Sequence, residues 1–264
     1  MSIVSAPEVW EWSIEPRIHG SAGKWRLKFL HEEIAAEPQA VERFRREARA
    51  ASSLNHPNVC TVYDVGEYEG RHFIVMELLD GRSLREAIGG RPLPIERLLS
   101  LGTKVAEALE AAHAKDIVHR DMKSANVFVT DRGQPKVVDF GLAKMVPGVE
   151  GETPARSLSA TDAIVGTLPY MAPEQLLGEK VDARTDIHAL GALLYEMSTG
   201  VRPYRKEPLP RLMDEILHTP PQPPSQLNPA IGPDLEAVVL KCLEKNPENR
   251  YPTMADVLSQ PVDA

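Results

Sequence analysis

The sequence predicts an α+β fold in two lobes, with a small strand-rich lobe followed by a larger helical lobe. Two pairs of short apolar or β-branched runs, 59–65 with 72–77 and 127–130 with 135–138, flank glycine-containing turns and indicate hairpins. Most of the remaining chain shows helical spacing of its apolar residues. Strands gathered near the front and helices behind them favour an α+β plan over alternating units.

Each predicted helix follows from a local pattern. The charged, alanine-rich stretch 41–54 has helical spacing, and Pro57 lies beyond its end. Apolar residues recur at helical intervals over 95–114 and 235–244, which predicts two amphipathic helices. The stretch 185–198 is apolar nearly all round, and this indicates a buried helix.

Composition excludes several classes of protein. Of the 264 residues 42% are hydrophobic and 26% charged, so neither disorder nor a fibre is expected. The net charge of −8 argues against nucleic-acid binding, which depends on neutralising phosphates. Cys60 and Cys242 form no C-x-x-C pair, which argues against a disulfide framework or a zinc site. We find neither a secretion signal nor a membrane segment in this chain and expect a cytoplasmic protein.

The stretch His119-Arg-Asp-Met-Lys-Ser-Ala-Asn126 carries the most specific chemistry. Phosphoryl transfer needs a carboxylate beside the incoming hydroxyl and an oxygen ligand for Mg²⁺, and Asp121 and Asn126 can supply both from one tight loop. The stretch resembles the catalytic loop of protein kinases, and Lys123 is typical of the Ser/Thr branch. Taken alone, it could also be a polar surface hairpin.

Further motifs follow in the order and spacing of that family. The resemblance implies that Asp139, in Asp-Phe-Gly, binds Mg²⁺, and that Thr167, in the peptide-positioning segment 166–174, supports Asp121. The remaining implied roles are structural, an ion pair and an anchor for the catalytic-loop backbone. They fall on Glu174 with Arg250, and on Asp186, respectively.

The front lobe carries the implied nucleotide-binding residues. By resemblance Lys28 is the phosphate-binding lysine and Glu47, on the following helix, its ion-pair partner. Met76 is the implied gatekeeper, and the backbone of Glu77 and Leu79 is expected to bind adenine. Without the downstream motifs, the two charged residues would be ordinary surface charges and the apolar run would be core.

The chain is similar to bacterial eukaryotic-like Ser/Thr protein kinases over about residues 25–260. This resemblance implies a two-lobed kinase fold with a lobe and hinge over 27–79 and a helical lobe over 80–264, ATP and Mg²⁺ as cofactors, and protein substrates. Arg120 would pair with a phosphate on the activation loop. We expect autophosphorylation there, through a transient dimer, at one of three residues. These are Ser157, Ser159 and Thr161.

The N-terminus departs from the family pattern. A kinase carries G-x-G-x-x-G-x-V before the lysine, but the window 6–13 contains no glycine, and Glu8 and Glu11 would repel phosphate. Arg26 stands where a small residue is expected and could crowd adenine. The alternative function is therefore a pseudokinase, a weakly active scaffold or binding module. A small-molecule phosphotransferase is disfavoured by the Ala-Pro-Glu segment, which serves peptide substrates.

A one-base shift of the reading frame can restore the missing loop. Codons for residues 6–26 can be chosen so that the frame beginning one base earlier encodes GAGGMGVVYRAKDTRLGREVA, which leads directly into Leu27-Lys28. The third bases are chosen to fit, but Trp10 followed by Glu11 forces a glycine in the shifted frame. We hypothesise that residues 1–26 are an out-of-frame translation; a divergent N-terminus is the alternative.

We predict that the coding DNA of residues 6–26, read one base earlier, spells the glycine-rich loop. The second base of each shifted codon is already fixed by the first base of the printed codon, so the wobble bases carry the test. Sequencing the gene provides the measurement. Wobble bases that encode other residues at the glycine positions would exclude the frameshift.

Overall fold

The computed structural model describes residues 25–30, 38–140, 166–205 and 207–262. Within them, a three-stranded antiparallel sheet in the order β1-β3-β2 forms the small lobe, and helix α1 packs against β2. The elements of this lobe are β1 (Trp25–Phe29), α1 (Pro38–Ser52), β2 (Val62–Tyr68) and β3 (Arg71–Glu77).

The larger lobe is helical, and a second small sheet in the order β4-β5-β6 lies at its start. Its strands are β4 (Gly81–Ser83), β5 (Val127–Thr130) and β6 (Pro135–Val137). In the described part of this lobe the α-helices are α2 (Leu84–Ile88), α3 (Ile95–His113), α4 (Pro173–Leu176), α5 (Ala183–Thr199), α6 (Leu209–His218), α7 (Pro233–Cys242) and α8 (Met254–Leu258). The strand-rich and helical lobes confirm the predicted α+β plan.

A tight turn sets the register of the first hairpin. Glu69 and Gly70 both have left-handed backbone angles, with φ of 50° and 78°. Two successive left-handed residues match the twist of the flanking strands, so Tyr68 pairs directly with Arg71. The turn therefore confirms the predicted hairpin and orders the strand that leads into the hinge.

Helix α5 is the centre of the large lobe. Asp182 caps its first turn by accepting a hydrogen bond from Arg184 N, and Gly200 ends it with φ of 79°. Every residue from Thr185 to Ser198 is buried, which confirms the predicted buried helix. The helix packs against α3 and α7, so polar side chains on it can anchor neighbouring segments from within the core.

Among the described residues, two apolar clusters make up the core, a large one in the helical lobe and a small one beneath the first sheet. The small cluster includes Phe44 and Ala48 from α1, and Ile74 and Met76 from β3. The predicted gatekeeper Met76 is thus part of the core of its lobe. No helix in the described part of the chain has the length and apolar character needed to cross a bilayer.

The boundaries of several predicted elements shift for identifiable reasons. The strand predicted over 59–65 begins at Val62, because Val59 instead bridges Val137 and Cys60 N donates to Val137 O at 2.8 Å. The helix predicted over 235–244 begins at Pro233, a residue whose fixed φ suits the first turn. Helices α2, α4, α6 and α8 were not predicted. Three of them, α2, α4 and α8, have only four or five residues and give little periodicity. Helix α6 has ten residues and buries Leu212 and Ile216 at helical spacing, a signal that was missed.

A fully buried histidine adds an acid-sensitive element to this core. The His188 ring on α5 stacks on the Tyr204 ring with centroids 6.3 Å apart, and Lys245 Nζ lies 4.0 Å from the Tyr204 centroid. Burial lowers the pKa of His188 well below 6.5, and the nearby charges of Arg250 and Lys245 lower it further. The folded protein therefore holds this ring in its neutral form.

We predict that His188 makes the fold less stable as the pH falls below about 6.5, where the unfolded histidine takes up a proton and the folded one does not. Above that pH the ring is neutral in both the folded and the unfolded state, so the destabilising effect of His188 is absent. Thermal unfolding between pH 7.5 and 5.0 should show a smaller loss of Tm for His188→Phe than for the wild type. His218→Phe, at an exposed position on α6, serves as the matched control. Equal acid sensitivity of wild type and His188→Phe would contradict the prediction.

Candidate active site

The backbone of the loop at 119–121 is held from inside the core. The fully buried Asp186 carboxylate accepts hydrogen bonds from His119 N and Arg120 N, each at 2.8 Å. His113 Nε2 lies 2.8 Å from the same carboxylate. Arg120 has φ of 66°, a region that non-glycine residues rarely occupy, so these bonds offset a local backbone strain. Asp186 therefore fixes the conformation from which Asp121 projects.

Two side chains of the following loop, Lys123 and Asn126, converge on the Asp121 carboxylate. Lys123 Nζ lies 3.2 Å from Asp121 Oδ2. Asn126 Nδ2 donates to Asp121 O at 2.8 Å and to Asp121 Oδ2 at 2.9 Å. The side chains of Asp121 and Lys123 keep 17% and 14% of their exposure, so they remain accessible to a ligand. Because both bonds of the Asn126 amide use its nitrogen, its oxygen points away from Asp121 and is available as a ligand atom.

A second charged pair links the two lobes. Lys28 Nζ on β1 lies 2.7 Å from Asp139 Oδ1, and Asp139 has a left-handed φ of 65°. Burial alone would raise the pKa of Asp139, but the Lys28 ammonium outweighs it, and the pKa falls below its usual value. Asp139 is therefore a carboxylate at neutral pH. Lys28 and Asp139 are therefore in direct contact. Arg26, two residues before Lys28 on the same face of β1, does not lie between them.

Hydrogen bonds also fix the backbone next to Asp139 against the loop 119–126. The residue before it, Val138, donates its N–H to Asn126 O at 2.9 Å, and the His119 Nε2 lies 3.0 Å from Val138 O. The rings of His119 and Phe140 are in contact, with centroids 4.7 Å apart. The three residues Asp121, Asn126 and Asp139 consequently belong to one hydrogen-bonded unit.

The hinge strand has its polar groups partly engaged. Glu77 N donates to Thr61 O at 2.9 Å, and the Glu77 carboxylate lies 2.9 Å from Lys136 Nζ. Leu79 is half-buried at the edge of the small apolar cluster. The Glu77 side chain thus binds strand β6 of the second hairpin, and the Glu77 carbonyl accepts a long contact of 3.8 Å from Cys60 Sγ.

The segment after residue 165 is attached to the loop by a short contact. Lys123 Nζ donates to Thr167 Oγ1 at 2.8 Å, so Thr167 reaches Asp121 through the lysine. Gln175 Nε2 donates to Arg120 O at 2.8 Å and adds a second attachment. These two bonds hold the start of the segment 166–174 and the adjacent Gln175 beside the loop that carries Asp121.

A buried ion pair closes the end of the same segment. Arg250 binds Glu174 through both terminal nitrogens, at 2.7 and 2.8 Å, and Thr185 Oγ1 donates to the same carboxylate at 2.9 Å. Both partners are nearly inaccessible. Removing one partner of such a pair costs about 3–5 kcal/mol, because the other charge is left buried without compensation.

Several predicted site residues lie outside the described residues. These are the Glu47 side chain, the window 6–13, and Ser157, Ser159 and Thr161. The proposed Lys28–Glu47 pair and the activation-loop phosphorylation sites therefore stay predictions.

Other site residues were missed at the sequence level. Three of them lie inside or next to recognised motifs, and this location could have marked them as candidates. They are Ser124, Tyr170 and Gln175. His113 ends helix α3 and gave no signal, since its contact with Asp186 joins residues far apart in the chain.

A two-lobed α+β fold with this Asp-Lys-Asn cluster beside a Lys–Asp pair is the arrangement of a protein kinase domain. Residues 19–262 match the family described as "Protein kinase domain", and the chain belongs to that family.

Named relatives and solved structures agree with this assignment. The chain is 39% identical to serine/threonine-protein kinase PknB of Mycobacterium leprae, over 88% of this chain and 37% of the relative. It is 42% identical to the probable serine/threonine-protein kinase SCO3848 of Streptomyces coelicolor, over 90% of this chain and 35% of the relative. It thus spans little more than a third of their length. The crystal structure of the Mycobacterium tuberculosis PknI kinase domain is similar with a TM-score of 0.69 and 28% identity, over 91% of this chain and 85% of that chain.

Proposed function

We propose that this chain transfers the γ-phosphoryl group of ATP to Ser or Thr hydroxyls of proteins. The observation that carries the proposal is the convergence of Lys123 and Asn126 on the Asp121 carboxylate, in the hydrogen-bonded unit that also contains Asp139. Phosphoryl transfer needs a hydroxyl-orienting carboxylate, cations and a metal-binding carboxylate within one site. The named serine/threonine kinases among its relatives support the choice of acceptor.

The donor set fits a hard cation. Asp139 is ionised and Asn126 presents its amide oxygen, and oxygen ligands of this kind suit Mg²⁺, which also binds phosphate oxygens. Bound between phosphates and protein, Mg²⁺ would neutralise charge that develops on the phosphoryl oxygens. We assign Asn126 and Asp139 as its protein ligands.

The chain's own residues would supply positioning and charge. Asp121 orients the acceptor hydroxyl and takes its proton, while Lys123 offsets negative charge on the phosphoryl group as it moves. Lys28 leaves its contact with Asp139 to hold the α- and β-phosphates, with Glu47 as its proposed partner. Little covalent chemistry falls to the protein, so these placements provide the rate.

We further infer that the hinge backbone at Glu77 and Leu79 binds adenine beside Met76. Regulation by an activation-loop phosphate on Arg120, trans-autophosphorylation through a transient dimer and a cytoplasmic location remain predictions of the same proposal. A pseudokinase is the competing outcome, since the window 6–13 lacks glycine.

We predict that Asp121→Asn lowers kcat about 10²- to 10⁴-fold, because the amide cannot accept the hydroxyl proton. Phosphate transfer from ATP to a generic Ser/Thr peptide, with Mg²⁺ present, provides the measurement. Asp214→Asn, an exposed change on α6, is the matched control and should keep wild-type activity. Wild-type protein that binds Mg-ATP but transfers no phosphate to any protein or peptide would establish the pseudokinase instead.

A further inference from the structure

A buried hydrogen-bond chain connects three segments that are far apart in the sequence. Ser124 Oγ lies 2.8 Å from Tyr170 Oη, and Tyr170 Oη donates to Glu196 Oε2 at 2.6 Å. Ser124 is completely buried, Tyr170 keeps 1% of its exposure and Glu196 keeps 6%. Because all three side chains are buried, water could not readily replace a hydrogen bond that one of them loses.

The direction of this chain follows from the number of protons. The Tyr170 hydroxyl has one proton, which it donates in the hydrogen bond to the Glu196 carboxylate. In its bond with Ser124 the tyrosine oxygen is therefore the acceptor and the serine hydroxyl the donor. Burial and the Glu196 charge raise the pKa of Tyr170 to about 12, so the phenol stays protonated. Each bond polarises the next one, and a chain that ends on a carboxylate is stronger than separate neutral bonds.

The carboxylate end of the chain has a cation close by. Arg202 lies over the Tyr170 ring at 5.6 Å, and its Nε is 3.9 Å from Glu196 Oε1. The buried charge of Glu196 is thus balanced from the solvent side. Glu196 itself lies on α5, the buried central helix of the large lobe.

The two ends of the chain lie beside the proposed chemistry. Ser124 directly follows Lys123 and begins the short 3₁₀-helix Ser124–Asn126. Tyr170 ends the 3₁₀-helix Leu168–Tyr170, which follows Thr167. The Lys123–Thr167 contact joins the same two segments, but Lys123 is partly exposed in the cleft, where bound phosphate would compete for it.

We propose that Ser124 and Tyr170 are positioning residues that hold the peptide-positioning segment 166–174 against the catalytic loop while Lys123 serves the phosphates. This inference rests on the proposed kinase function. A buried contact keeps the acceptor site in register with Asp121 when the exposed contact is used by the ligand. A misplaced acceptor would reduce transfer to peptide without a matching effect on ATP.

Ser124→Ala removes the donor at the start of the chain and changes little volume. We expect kcat/KM for a peptide substrate to fall about 5- to 10-fold, the effect of losing one buried hydrogen bond, with KM for ATP changed less than about twofold. Ser198→Ala is the matched control: Ser198 is equally buried, but its hydroxyl donates to Tyr195 O within α5. An equal loss for both variants, or an equal rise in KM for ATP and peptide, would overturn the proposal.

Tyr170→Phe tests the same chain from its centre. If the serine acts through the tyrosine, the double variant Ser124→Ala/Tyr170→Phe should lose no more kcat/KM for peptide than Tyr170→Phe alone. Multiplying losses would show that Ser124 acts elsewhere and would contradict the proposal.

Hydrogen exchange separates this inference from the proposed function, because it needs no turnover. Amides of residues 168–176, including Met171 N and Gln175 N, should exchange faster in Ser124→Ala than in the wild type or Ser198→Ala. Unchanged exchange would refute the positioning role even in an active enzyme. A wild-type protein without transfer activity would refute the proposed function, whatever the exchange result.

Discussion

The contact between the Lys28 ammonium and the Asp139 carboxylate, 2.7 Å apart, brings the two lobes to one site. Lys28 is held on β1, where it pairs with Ile74 of β3. Asp139 follows β6, an edge strand of the second sheet. The partners therefore come from separately built units. Everything proposed about nucleotide binding depends on these units presenting opposite charges to a common cleft, where phosphates and a cation could be inserted between them.

Buried polar anchors in the large lobe make that cleft possible. Asp186 fixes the loop before Asp121, and the Glu174–Arg250 pair fixes the far end of the peptide-positioning segment. Such buried charges are weak contributors to net stability, since desolvation offsets much of their attraction. Their effect here is geometric: they force strained or irregular backbone, as at Arg120, into one conformation. The Ser124–Tyr170–Glu196 chain extends the same principle to the surface on which a peptide would lie.

Much of this could be predicted from sequence, because helices and hairpins depend on local patterns. The buried helix around Asp186 was evident from its uniform apolar character, and the loop residues Asp121 and Asn126 from a specific motif. Contacts between distant side chains were harder to anticipate. Val59 leaves the expected strand for a bridge to Val137, and Ser124 meets Tyr170 only after the chain has turned back on itself. Neither event leaves a periodic signal.

The N-terminal departure gives the nucleotide site its most direct test. Without glycine in the window 6–13, bulky side chains would hinder the close approach of backbone amides to the phosphates, yet Lys28 and Asp139 remain in place. The decisive measurement is calorimetric titration of the wild-type chain, Lys28→Met and Asp139→Asn with ATP, in the presence and absence of Mg²⁺. We expect Mg²⁺-dependent binding by the wild type that both substitutions weaken at least about tenfold, equivalent to about 1.4 kcal/mol. Binding that neither the cation nor either substitution affects would contradict this expectation.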